Sequence, residues 1–166
     1  MRRAFSLVEL LIVTAILGIL AAVAMPMFQQ RITKAKEAAA KDNLRILRNV
    51  IDVYAVQHKN VPPGYANGNT SNTPTSLLAM IQLTYQTNEL GQYDKPGTSG
   101  YIYGPYLKAI PENPFNGDNR IYVIANASTE VSAAVSDFGW IYKPAIKEIK
   151  LNYNGVDSQG VRYLDY

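Results

Sequence analysis

The sequence predicts an α+β protein in which the second half of a long N-terminal helix packs against a small antiparallel β-sheet head. Three observations carry this prediction. Leu10 to Phe28 runs for nineteen residues without a charge. Of the 11 glycines and 9 prolines, only Gly18 and Pro26 precede Val61, so helix-breaking chemistry is concentrated in the rest of the chain. Near the C-terminus, short apolar and β-branched segments alternate with turn residues.

The first element is the segment RAFSLVELLIVTAILGILAAVAMPMF, residues 3–28. Nineteen helical residues span about 28 Å, close to the hydrocarbon core of a bilayer. Arg2 and Arg3 precede the segment, and Arg31, Lys34, Lys36, Lys41 and Arg45 follow it. Counted alone, these positives disfavour a cytoplasmic N-terminus. Three readings fit the segment. Arg2-Arg3 and the small-x-small run Ala22-Val23-Ala24 suit a secretory signal peptide, although Glu9 interrupts its apolar region. An uncleaved anchor, tethering an enzyme or binding module, explains the length but gives Glu9 no purpose. A charged residue at the bilayer centre costs about 2.5–3.5 kcal/mol on insertion scales, so an acid there is a functional hypothesis by default.

The third reading gives Glu9 a purpose. The run AFSLVELLIVTAILGILAAVAMP resembles the N-terminus of type IV pilins and type II secretion pseudopilins. The resemblance implies a pilin-like fold and removal of residues 1–4 by a prepilin peptidase cutting between Ala4 and Phe5, with N-methylation of Phe5. Ala4 stands where the family usually has Gly, and a four-residue leader is short for it. Glu9 is then the fifth residue of the mature chain, where the family's glutamate pairs with the free amine of a neighbouring subunit. An unpaired carboxylate in hydrocarbon is costly, and stacking in register relieves that cost. The plainer role for Glu9 is a first-turn acid complementing the helix dipole, worth about 0.3–1 kcal/mol. Pro26 has no N–H for the Ala22 carbonyl, which favours a bend. The resemblance further implies that the Gly18–Pro26 stretch can melt.

The helix continues through KAKEAAAKDNLRILRNVIDVYAVQ, where Leu44, Leu47, Ile51 and Tyr54 recur at three- and four-residue spacing, with Ile46, Val50 and Val53 widening that face. Residues 6–58 can thus form one rod of about 80 Å. The expected divisions are a leader (1–4), a transmembrane and filament-core helix (5–28), an amphipathic helix entering the head (29–58) and a globular head (59–166). Within the head, Thr73-Pro74 reads as the cap and first turn of a short helix ending near Leu83. A Tyr- and Gly-rich wrapping loop extends to Pro114, and strands are expected at 120–125, 139–143 and 148–153, the last two joined as a hairpin. The sequence GPYLKAIPENPF, then GWIY and EIKLN, resembles the major pseudopilin of type II secretion, and the chain has no cysteine for the C-terminal disulfide loop of many major pilins.

No catalytic residues emerge. His58 is the single histidine, expected as a partly exposed helix-end residue, and one histidine excludes a multi-histidine metal site. No phosphate-binding loop is present, and without Arg2 and Arg3 the 16 basic residues fall to 14 against 13 acids, so no nucleic-acid partner is expected outside a DNA-uptake pilus. No cofactor is expected; Asp157 and Asp165, with Ser158 and backbone oxygens, are calcium candidates by resemblance to the C-terminal loop of related pseudopilins, and Arg162 is the competing partner for either acid. Tyr101, Tyr103 and Tyr106 are expected to pack the wrapping loop, with surface contact between subunits as the alternative, and Asn69 and Asn126 begin glycosylation-type tripeptides.

The implied partners are identical subunits in a helical filament, a prepilin peptidase, an inner-membrane assembly platform, a separate cytoplasmic ATPase and minor pilins or pseudopilins. The implied location is the bacterial inner membrane, crossed once with a cytoplasmic N-terminus and a periplasmic head, or the cell exterior for a surface pilus.

Overall fold

The computed structural model describes residues 6–131 and 135–166, which divide into two units, Met1–Lys36 and Glu37–Tyr166. Helix α1 (Leu7–Gln57) contributes to both, and its helical assignment is uninterrupted through Gly18 and Pro26. It is long and apolar enough to cross a membrane by length and composition.

In the first unit, every described side chain from Ser6 to Ala35 is exposed, including Leu7 at 80% and Phe28 at 66%. This leaves a long contiguous apolar surface exposed within the unit, which is unfavourable in water.

In the second unit, the α1 face formed by Ala40, Leu44, Leu47, Ile51 and Tyr54 is buried, as the i, i+3, i+4 spacing predicts. Its partners in the core include Trp140, Tyr142, Ile149 and Leu151 of the sheet and Ala79 and Leu83 of α2 (Ser76–Thr84). The proposed widening of the face is only partly realised: Val50 is half-buried, whereas Ile46 and Val53 are 47% and 40% exposed. Helix α2 starts later than expected. The Thr75 hydroxyl, not Thr73, accepts from the Leu78 amide. The residue before a proline is driven to extended backbone, which separates Thr73 from the helix and leaves Thr75 to cap it.

The wrapping loop contains a two-stranded antiparallel ribbon, β1 (Gln86–Thr87) with β2 (Tyr93–Asp94), and Thr87 also bridges to Tyr103. The main sheet comprises β3 (Ile121–Val123), β4 (Trp140–Lys143) and β5 (Glu148–Leu151), in the order β3-β4-β5. The expected β4–β5 hairpin forms, with Trp140 opposite Leu151 and Lys143 opposite Glu148. Its turn passes through a 3-10 turn at Pro144–Ile146 and a left-handed Lys147 at φ 53°. The expectation of a wholly antiparallel sheet needs one correction, because β3 runs parallel to β4. The chain between them is long enough to return to the starting end of the sheet, which a two-residue turn cannot do.

Buried amides fasten the loops to this core. Asn113, fully buried, donates to the carbonyls of Gly139 (3.0 Å) and Asn152 (3.1 Å) and accepts from the Phe115 amide (2.9 Å). A Cβ at Gly139 would overlap the Asp118 carbonyl oxygen and lie 3.3 Å from Asn113 Cβ, so this close backbone approach requires glycine.

Candidate functional site

At the N-terminal end, the geometry begins with Ser6 and Glu9. The Ser6 amide donates to Glu9 Oε2 (2.9 Å), and the Glu9 amide donates to Ser6 Oγ (3.2 Å). This reciprocal pair is a capping box, which satisfies two amides that have no partner within the helix. Ser6 was absent from the sequence-derived site, although the S-x-x-E spacing announces it. Glu9 is exposed beside Leu7, Val8, Leu10 and Leu11, themselves at least 60% exposed. One carboxylate on an otherwise apolar surface suits recognition by a cation and does not supply the paired groups of catalysis. Ala4 and Phe5 lie outside the described residues.

His58 departs from expectation. It is 1% exposed, and its ring stacks on Tyr54 with centroids 3.8 Å apart. Nδ1 lies 2.7 Å from the Tyr54 carbonyl and Nε2 lies 2.9 Å from Thr87 Oγ1. A carbonyl only accepts, so Nδ1 carries the proton and Nε2 accepts from the threonine hydroxyl. Burial lowers the His58 pKa, with the Tyr54 and Asn88 backbone partly opposing. The β1 ribbon covers this helix end, a tertiary event without a local signal. Tyr103 and Tyr106 pack edge-on to the ring, and the Tyr106 hydroxyl donates to Gln57 Oε1 (2.6 Å), the packing role expected for these tyrosines. Tyr101 is half-buried.

The C-terminal segment holds its two candidate acids separately. Asp157 is buried; its Oδ1 accepts from the Gln159 (2.8 Å) and Val161 (2.9 Å) amides, and its Oδ2 accepts from the Tyr166 hydroxyl (2.8 Å) and lies 3.7 Å from Lys41 Nζ. Burial pushes this carboxyl up, but the Tyr166 hydroxyl, the two amides and the Lys41 ammonium outweigh it and hold the pKa below the usual range. Asp165 instead receives two bonds from Arg162, at 2.7 and 3.0 Å. A calcium site needs several bare oxygens facing one point. Here proton donors and an ammonium face the oxygens, so the arrangement described does not fit the ion. No group of three or more His, Cys, Asp or Glu side chains suited to a metal occurs among the described residues.

Beside this loop, sequence reasoning missed Glu37. It is 7% exposed and accepts from the Ser158 amide (3.2 Å), the Ser158 hydroxyl (3.3 Å) and the Tyr163 hydroxyl (3.2 Å). Its place in the series 37, 40, 44, 47, 51, 54 was the available signal, an acid on the core-facing stripe. Asn69 and Asn126 each accept from the amide two residues on, at 2.9 Å, and serve as turn formers.

Comparison with known proteins centres on the first of these sites. The prokaryotic N-terminal methylation motif matches residues 1–25. The chain is 25% identical over 125 residues to the type II secretion system core protein G of Escherichia coli (strain K12), covering 75% of this chain and 72% of that protein. It is 28% identical over 113 residues to the type IV major fimbrial protein FimA of Dichelobacter nodosus, covering 68% of each. These findings support the pilin and pseudopilin family. A further relative of the pilin-like chain is core protein G of Vibrio cholerae serotype O1, at 29% identity over 114 residues, covering 69% of this chain and 66% of the relative. No solved structure matches the pilin-like chain. In this pilin-like chain the motif covers the exposed apolar helix and Glu9, and the fold is α+β with a long N-terminal helix. Its apolar N-terminal helix and motif fit membrane anchoring.

Proposed function

We propose that this chain is a prepilin-processed structural subunit of a type II secretion pseudopilus, a filament that drives protein export. The observation that carries this reading is the 125-residue match to core protein G. It is five times the length of the 25-residue methylation motif and so draws on head sequence as well. In this reading a prepilin peptidase removes residues 1–4, Phe5 becomes the methylated N-terminus, and Glu9 meets the new amine of an adjacent subunit. The capping box orients the carboxylate, while the exposed helix supplies apolar surface for packing among identical subunits. Buried in such a bundle, Glu9 is tolerated only when paired, which makes register-correct addition the favourable outcome. The role is structural, not enzymatic. Its partners are the assembly platform, a separate cytoplasmic ATPase and minor pseudopilins, with the N-terminus in the cytoplasm and the head in the periplasm. Gly18 and Pro26 provide a weak point at which the helix can bend or melt.

The match to FimA favours a second reading, a type IV pilus subunit. Two experiments separate the possibilities. Intact mass and N-terminal sequencing of protein from membranes should give a chain beginning at methylated Phe5; a start at Met1 or Met25 refutes processing. Deletion of the gene should empty the secreted fraction while sparing surface fibres, and the opposite pattern supports the pilus. In the same strain, Glu9→Leu should insert and be cleaved yet lower filament yield at least about tenfold, the equivalent of about 1.4 kcal/mol. Wild-type yield would remove Glu9 from assembly.

A further inference from the structure

Arg31, Lys34 and Lys36 place three cations within six residues, beginning three residues after the apolar run ends at Phe28. No acid lies between Glu9 and Glu37, and Glu37 is already engaged by Ser158 and Tyr163. Arg31 and Lys34 are exposed and Lys36 is half-buried. Among the described residues, no side-chain hydrogen bond or ion pair engages any of the three, nor the isolated Lys95 and Lys108 of the head, whereas Lys41, Arg45, Lys59, Arg120, Lys143, Lys147, Lys150 and Arg162 all meet carboxylates and Arg48 meets the carbonyls of Ile149 and Tyr166.

We propose that Arg31, Lys34 and Lys36 bind the headgroups of anionic phospholipids, a site that rests on the membrane-anchored reading of α1. Along the helix, Arg31 stands about 4.5 Å and Lys36 about 12 Å beyond Phe28. The headgroup layer extends about 5–7 Å beyond the hydrocarbon, and long basic side chains reach back towards it. Their directions decide between partners. Arg31 and Lys34, three residues apart, share one side of the helix, while Lys36 lies about 140° round from Arg31. A single docked protein meets one side of a helix, but around the membrane-anchored subunit, before any bundle forms, a headgroup layer surrounds it, and these cations form a collar. Their number on this side is what the positive-inside count left without a role.

The test reconstitutes the full chain in phosphatidylcholine vesicles carrying a trace of spin-labelled phosphatidylglycerol or spin-labelled phosphatidylcholine. The fraction of each label immobilised at the protein is read from the electron paramagnetic resonance spectrum. One near-surface cation strengthens association with anionic lipid by about fivefold. Wild-type protein should favour phosphatidylglycerol by at least that factor at low salt. The preference should fall towards unity in R31Q/K34Q/K36Q and at about 1 M salt, where the screening length is about 3 Å. R2Q/R3Q should retain most of it.

Equal fractions of the two lipids around wild-type protein would overturn the lipid site and leave the membrane reading standing. Absence of an immobilised fraction for either lipid would overturn the membrane reading and the site with it. A preference that survives R31Q/K34Q/K36Q and disappears in R2Q/R3Q assigns it to the other end of the helix. Loss of the preference to inorganic phosphate, at an ionic strength where sodium chloride leaves it intact, assigns the cations to free anions. Weakened self-association of the triple variant with unchanged lipid preference assigns them to a protein contact. Each of these last three results also overturns the proposal.

Discussion

Replacing Gln82 with leucine tests whether buried amide staples, as well as apolar area, hold the head together. Gln82 is completely buried; Oε1 accepts from the Gly64 amide (2.7 Å), and Nε2 donates to the carbonyls of Tyr65 (3.1 Å) and Gly91 (2.8 Å). Leucine roughly conserves volume but strands three backbone groups in the interior. Each buried group left unsatisfied costs about 1–3 kcal/mol, and relaxation of the two loops towards water favours the lower figure, giving about 3 kcal/mol in all. For a head of this size about 3–4 °C accompanies each kcal/mol, so Tm should fall by about 10 °C. The assay is thermal unfolding of detergent-solubilised full-length protein, followed by near-ultraviolet circular dichroism of its aromatic residues. A companion, Gln82→Glu, keeps an acceptor for Gly64 but directs a carboxylate at two carbonyls, so acidification to about pH 4 should restore part of its stability. A fall of less than about 2 °C for Gln82→Leu would refute the staple argument and return the head's stability to apolar packing.

Other perturbations probe neighbouring features. Because burial lowers the His58 pKa, the folded state binds its proton less readily than the unfolded chain. The histidine's contribution should therefore be complete above about pH 6.5 and decline as pH falls from there through the folded value. Thermal scans from pH 7.5 to 5.5 should show a Tm advantage over His58→Gln that narrows on acidification; a constant gap would contradict this. Asp157, held below the usual carboxylate range, should stabilise the C-terminal loop above about pH 4 and lose that contribution as pH falls through its depressed folded pKa. In acid titrations, Asp157→Asn should be less stable at neutral pH and show a flatter acid limb. Gly139→Ala should cost at least about 2 kcal/mol, because the obstructing Asp118 carbonyl is backbone and cannot swing aside. Near-wild-type melting would show that the Asp118 segment yields freely.

By itself, the sequence determined what depends on neighbours a few residues away. Uninterrupted apolar composition produces a membrane-length helix, and three-and-four spacing marks Leu44, Leu47, Ile51 and Tyr54 as its core face. Alternation of Ile149 and Leu151 with Glu148 and Lys150 marks β5. The Ser6–Glu9 capping box was equally legible, because it closes within one helical turn.

Tertiary structure decided whatever depends on which distant segment arrives. His58 is buried because β1 and Tyr103 cover the end of α1, and no residue beside it encodes their arrival. The parallel pairing of β3 with β4 depends on the path of the long connection, whereas strand propensity carries no direction. Asp157 and Asp165 are close in sequence, yet Tyr166 and Lys41 claim one while Arg162 claims the other. Periodicity specifies which face an element buries; the choice of partner is made by long-range packing, where each buried polar group must find a complement from elsewhere in the chain.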